Sequence, residues 1–119
     1  MWWIRVCLLA LVIFTPAISS ADDPTHSYFE GLRQRHLFGI AEGYCLNRLA
    51  QPRITDTERA RYTLELIRTL AAHAMSTQGQ EQEELWKRAE ETIAEFSQEH
   101  SDWSDTNVFE AERARIAAL

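Results

Sequence analysis

The sequence predicts an all-α fold, a set of antiparallel helical hairpins behind a cleaved export signal. Three observations predict it. Only 4 Gly and 3 Pro occur among 119 residues, too few turn formers for an all-β sandwich or barrel. Apolar residues recur at three- and four-residue spacing through most of the chain, the period of an amphipathic helix. Capping and breaking residues punctuate that pattern at intervals suited to short helices. With 45% apolar and 25% charged residues, the balance is that of a globular domain rather than a disordered chain.

The first 21 residues have the three-part layout of a secretory signal. Met1–Arg5 carries one positive charge, Val6 to Phe14 is an unbroken apolar run, and Thr15-Pro16 ends it. Ser19-Ser20-Ala21 supplies small residues for a peptidase, and Asp22-Asp23-Pro24 is a polar exit. Cleavage after Ala21 is expected, giving an exported protein, periplasmic or extracellular, of residues 22–119. The alternative is an uncleaved interfacial anchor, given Trp2 and Trp3. A membrane span needs about 20 apolar residues, roughly twice this run, so no stable span is expected after cleavage. Cys7 leaves with the signal, and Cys45 stays behind as a lone thiol. Its place among the apolar positions of a helix reads as a small buried hydrophobe rather than a disulfide partner.

Asp23-Pro24 places an acid before Pro at the first position of a helix. Tyr28, Phe29 and Leu32 continue it, and Leu37, Phe38, Ala41, Tyr44, Cys45 and Leu49 keep the period until Gln51-Pro52. Residues 25–50 therefore form a hairpin of two helices, with the turn near Arg35-His36-Leu37. Gly39 and Gly43 cost that second helix about 1 kcal/mol each against Ala, so it depends on packing. Thr55-Asp56-Thr57-Glu58 is a capping box, opening a helix whose apolar arc (Ala60, Leu64, Ile67, Ala71 and Ala74, with Tyr62, Leu66 and Leu70 beside it) is wide enough to be covered on more than one side. Met75 to Gly79 ends it. A fourth helix, Gln80 to Glu99, carries the narrow stripe Leu85, Trp86, Ala89, Ile93 and Phe96, so that residues 56–99 make a second hairpin. Ser101–Asp105 is a turn whose Ser104 or Asp105 caps a fifth helix, with Val108, Phe109 and Ile116 as its contact face.

A shift of 48 residues aligns the two hairpins: Leu37 with Leu85, Phe38 with Trp86, Ala41 with Ala89, and Cys45 with Ile93. A small Ala at this place lets two helices approach closely. In Phe38, Ala41, Cys45 and Pro52, then Trp86, Ala89, Ile93 and Phe96, the chain resembles the tetratricopeptide repeat (TPR) family. It departs from that pattern at Arg48, where a small residue belongs, and in its spacing of 48 against the family's 34. The resemblance implies a TPR-like α-solenoid and a role as a protein–protein interaction scaffold or adaptor. More narrowly, Tyr28 to Arg33 followed by Ala41 to Cys45 looks like the beginning of large secreted bacterial repeat proteins. Residues 105–119 then resemble the start of a third unit. Through its apolar end, Ile116-Ala117-Ala118-Leu119, the chain is expected to associate with itself or with another protein, or to fray there.

A net charge of −6 argues against nucleic acid as a partner. The charge is unevenly divided. Residues 24–76 hold seven arginines against five acids, and residues 77–119 hold four basic groups against eleven acids. Arg59, Arg61 and Arg68 share one long helix and are the candidates for holding an acidic partner segment. The glutamates from Glu81 to Glu99 read as a solvated face steadied by Glu83–Lys87 and Glu84–Arg88 pairs. His26, His36, His73 and His100 show no metal-ligand spacing, and structural roles explain them more simply. No phosphate loop, nucleophile elbow or nucleotide fingerprint occurs, so neither a cofactor nor catalysis is expected. Two alternatives are an N-terminal docking module of a longer secreted enzyme, and a metal-binding periplasmic protein using His and Glu.

Overall fold

The computed structural model describes residues 23–100 and 106–119. They form five helices: α1 (Pro24–Gln34), α2 (Phe38–Leu49), α3 (Asp56–Met75), α4 (Gly79–Glu99) and α5 (Thr106–Ala117). Among the described residues there is no strand. The fold is all-α. The export segment 1–21 and the turn at 101–105, with the expected cap at Ser104 or Asp105, lie outside the described residues.

The helix ends follow from local chemistry. Asp23 Oδ1 accepts from the Thr25 amide at 3.0 Å, and Pro24 needs no amide partner in the first turn. At the other end of α1 His36 takes φ +57°, so the chain reverses. The His36 amide donates to Arg33 O at 3.0 Å and the Leu37 amide to Leu32 O at 2.9 Å, which together make a Schellman stop. The break between α1 and α2 therefore falls at Arg35-His36-Leu37. At α3 both halves of the capping box form: Thr55 Oγ1 accepts from the Glu58 amide at 3.2 Å, and Glu58 Oε2 from the Thr55 amide at 3.1 Å. Gly79 differs from the sequence reading. It opens α4 rather than ending α3, in the left-handed region at φ +69°, where glycine alone is unstrained.

Each helix packs on the next in sequence, and α1 also packs on α3. The long α3 is thus covered by α1 and α2 on one side and by α4 on the other. Its buried set, from Tyr62 to Ala74, is correspondingly broad. One cluster joins Phe29, Ala41, Cys45, Leu66, Leu70 and Ala89. A second joins Ile67, Ala71, Ile93 and Phe96 to Phe109 and Ile116 of α5, and Trp86 packs against both while staying partly exposed. Ala41 and Ala89 are fully buried, in the same cluster and on successive even-numbered helices. Full burial of a Phe or Ile side chain is worth about 1.5–3 kcal/mol, so these contacts carry the fold.

Three expectations are corrected. Val108 is exposed; the inner face of α5 is Phe109, Glu112 and Ile116, spaced three and four residues apart. Lys87 lies on Glu91 rather than Glu83, at 3.8 Å. Arg88 reaches across to Glu42 of α2 rather than back to Glu84, because an interhelical carboxylate lies within reach of its long stem. Among the described residues no helix is long and apolar enough to cross a membrane.

Candidate docking surface

The three arginines singled out in α3 do not converge. Arg61 stands 3.6 Å from Asp23 at the start of α1. Arg59 borders a groove between α2 and α4. Arg68 turns inward to an ion network.

That network is the polar heart of the molecule. Arg33 on α1 donates from Nη1 to Glu65 Oε2 on α3 at 2.7 Å, and more weakly to Thr69 Oγ1 at 3.4 Å. Glu65 Oε1 takes Arg68 Nη1 at 3.3 Å and lies 2.9 Å from His26 Nδ1. Arg68 Nε continues to Glu112 Oε2 on α5 at 3.6 Å, where Arg115 also bonds Glu112. Glu30 closes the set with two bonds to Arg33. Burial pushes the Glu30 carboxyl up, but the Arg33 hydrogen bond and charge, with Gln34 and His26, outweigh it and hold the group below its ordinary value. His26, Glu30, Arg33, Arg68, Glu112 and Arg115 of this set line a cleft of about 440 Å³. With Glu65 included, three arginines meet three glutamates in the network, so each charge is already compensated. The cleft ties α1, α3 and α5 together and offers no free cation to a ligand.

The sequence reading missed Glu65 and Glu112, since acids are seldom fully buried. Only their spacing marked them. Glu65 lies beside Leu66 in the broad arc of α3, and Glu112 falls between Phe109 and Ile116.

Cys45 and His73 are part of the packing. Cys45 is fully buried. Burial, then the negative charge of Glu65 and Glu42 acting against the positive charge of Arg33, pushes its thiol up to about 12; such a thiol is a poor nucleophile. His73 stacks on Phe38 with ring centroids 4.8 Å apart and planes 13° off parallel. Among the described residues no group of three or more His, Cys, Asp and Glu is placed to hold a metal ion.

What the fold leaves open is the outer side of α2. Gly39, Ile40, Gly43, Tyr44, Leu46, Asn47 and Ala50 all face solvent, and none is charged. Ile40 is 55% and Leu46 48% exposed. Both charges of α2 are engaged by neighbouring helices: Glu42 by Arg88 of α4, and Arg48, its side chain 40% exposed, by Glu58 and the Tyr62 ring of α3. A surface helix ordinarily carries charges on its solvent side. On α2 the exposed positions carry none. No family model matches this chain, and neither a curated protein nor a solved structure matches it. The surface must therefore be interpreted from its own chemistry.

Tyr28 of α1, 49% exposed, extends the face, its ring 5.7 Å from that of Tyr44. Phe29 supports both rings from beneath, 5.6 Å from each. The two tyrosines are thus held on a rigid base, with an apolar body and a polar tip, the combination that is enriched where proteins meet. Phe38, Ala41, Cys45, Ala89, Ile93 and Phe96 are all buried. They build the scaffold under the face and are not part of it.

Proposed function

We propose that this protein is an exported interaction scaffold, a TPR-like array of helical hairpins that takes a protein partner on the outer side of α2. The uncharged solvent side of that helix carries the reading. Leaving Ile40, Tyr44, Leu46 and Tyr28 in water forgoes the stabilisation that covering them would give, and contiguous exposed apolar surface of this kind marks contact sites. Packing of each helix on its neighbour in sequence supports the repeat reading, since a solenoid is built that way. So does the burial of Ala41 and Ala89 at equivalent places. Export rests on the layout of residues 1–21.

Two measurements test this. Mass spectrometry of the protein from intact cells should give a chain beginning at Asp22; a Met1 start in the membrane fraction would overturn the cleaved-signal reading. Photo-cross-linkers placed at Ile40 or Tyr44 should yield adducts with a second polypeptide, while one at Lys87 should not. Blank lanes from both α2 positions would remove the docking role.

A further inference from the structure

The groove between α2 and α4 indicates what kind of partner the α2 face takes. It has a volume of about 270 Å³, with Leu46 and Leu49 on the α2 wall, Leu66 and Phe96 at its floor, and Glu95 and Glu99 on the α4 wall. Gly39, Gly43, Leu46 and Ala50 follow one another at four, three and four residues, so they lie along one flank of α2. Leu46 of that flank lines the groove, and Gly43 and Gly39 continue the flank toward the start of α2. Glu84, Arg88, Glu91, Glu95 and Glu99 follow at the same spacing along α4. Arg88 in that row is the residue that reaches Glu42 on α2, so the row faces α2 and its one cation is already used.

The two walls thus differ in kind. One is small and apolar; the other is a row of carboxylates. Glu95 has no ion pair among the described residues, and Glu91 has only the exposed Lys87 at 3.8 Å, a pair worth little in water. Arg59 lies at the α3 edge of the groove, and His100 lines its far end with Nε2 3.9 Å from Glu99 Oε2. The glycines add a second argument. A Cβ at Gly39 or Gly43 would meet nothing within 4 Å, so the fold itself does not require glycine at either place. Each costs the helix about 1 kcal/mol against Ala. Missing side chains on an exposed flank allow another helix to bring its backbone close.

From these walls we infer that the groove docks a basic amphipathic helix, its apolar stripe on Leu46 and the glycines of α2 and its Lys or Arg row on the glutamates of α4. The inference rests on the interaction reading above and specifies the chemistry of the partner. A helix of α2's length, ~18 Å, is enough to run along both walls. An anionic membrane surface does not fit, because it would meet the same carboxylates. A second copy of α2 does not fit either, because its one cation, Arg48, is already engaged by Glu58 and the Tyr62 ring.

The test uses the purified protein and two labelled helical peptides, one of leucine and lysine in heptad register and one of leucine and glutamate. Fluorescence anisotropy should show the leucine–lysine peptide bound and the leucine–glutamate peptide at least about tenfold weaker, a difference of ~1.4 kcal/mol. Leu46→Glu, at an exposed helical site that tolerates a polar side chain, should abolish binding with the circular dichroism unchanged. The double variant Glu95→Lys/Glu99→Lys should reverse the preference between the peptides. Equal binding of both peptides, binding of neither, or binding untouched by these variants overturns the basic-helix inference. So does self-association that the leucine–lysine peptide cannot displace. The interaction reading falls separately, on blank cross-linking at Ile40 and Tyr44.

Discussion

Arg33 Nη1 and Glu65 Oε2 meet at 2.7 Å between α1 and α3, with the two side chains only 7% and 3% exposed. Both charges were taken out of water to make this contact, and neither can return while the helices stay packed. Removing one partner of such a pair typically costs about 3–5 kcal/mol, whereas replacing both by apolar groups of similar size is often neutral. The two partners are unequal here. Glu65 also bonds Arg68 and His26, so its loss takes a partner from three side chains at once, whereas loss of Arg33 leaves Glu65 two partners.

Glu65→Ala should therefore destabilise more than Arg33→Met, with the former losing at least about 3 kcal/mol. The double variant Arg33→Met/Glu65→Leu should recover most of that loss. Urea denaturation of the three variants is the measurement. A Glu65→Ala protein with an unchanged midpoint would show that the pair is solvated in solution. Glu30 adds a pH dependence of known sign. Its folded pKa lies below its unfolded value, so its contribution is present above the unfolded pKa and is lost as pH falls through the folded one. Acid should weaken the Glu30–Arg33 pair within α1, and Glu30→Gln should flatten that part of the pH profile.

His36 holds a left-handed backbone at φ +57°, a conformation that costs a side-chain-bearing residue roughly 1–2 kcal/mol. Its ring lies 5.3 Å from Phe38, edge to face, which offsets part of this. His36→Gly should still raise stability, by about 0.5–1 kcal/mol, since glycine is the favoured residue at this stop. Thermal unfolding decides it. A lower midpoint would mean that the contact with Phe38 outweighs the backbone strain.

The helices were legible because their signals are local. Asp23-Pro24 and the Thr55–Glu58 box start helices through their own side chains, and the apolar spacing of Leu85, Ala89, Ile93 and Phe96 names the buried stripe without reference to any neighbour. The ion network was not legible, since Glu65 and Glu112 are buried only because Arg33 and Arg68 reach them from positions 32 and 44 residues away in sequence. The pairing of Arg88 escapes the sequence for the same reason: helical spacing describes one helix, and Glu42 lies on another. The exposure of Ile40 and Tyr44 was equally hidden. Their periodicity marks them as helical and apolar, but which apolar flank is covered depends on where α1 and α3 lie.

Cys45 should be inert in the folded protein. Its thiol is fully buried and pushed up to about 12 from an ordinary 9.0, so almost no thiolate exists at pH 8. An aromatic disulfide reagent should titrate no thiol from residue 45 in native buffer and one in denaturant. The sign of the linkage follows. Below the unfolded pKa both states hold the proton; between about 9 and 12 only the folded state does, so stability falls as pH rises through that window. Cys45→Ala should abolish this alkaline component. Fast labelling of the native protein would show instead that α2 opens readily from α3.

α5 should be the first helix to come away. It packs mainly on α4, with Phe109 stacked on Phe96 at a centroid distance of 4.1 Å, while Phe109 and Ile116 share a cluster with Ile67 and Ala71 of α3 and Glu112 bridges to Arg68. Val108 and Leu119 stay exposed, so one side of the helix does all the holding. A Phe-to-Ala change in a core costs about 3–5 kcal/mol, which is large against what a 12-residue helix contributes in isolation. Phe109→Ala should release α5 while the α1–α4 core stays folded. Hydrogen exchange should then show the amides of residues 108–117 unprotected and those of 62–74 unchanged from the parent protein. Even in the parent, α5 should exchange faster than α3, because local opening needs only these few contacts to break. If α5 exchanges only with global unfolding, the contacts of Phe109, Glu112 and Ile116 make it an integral part of the core rather than a loosely docked last helix.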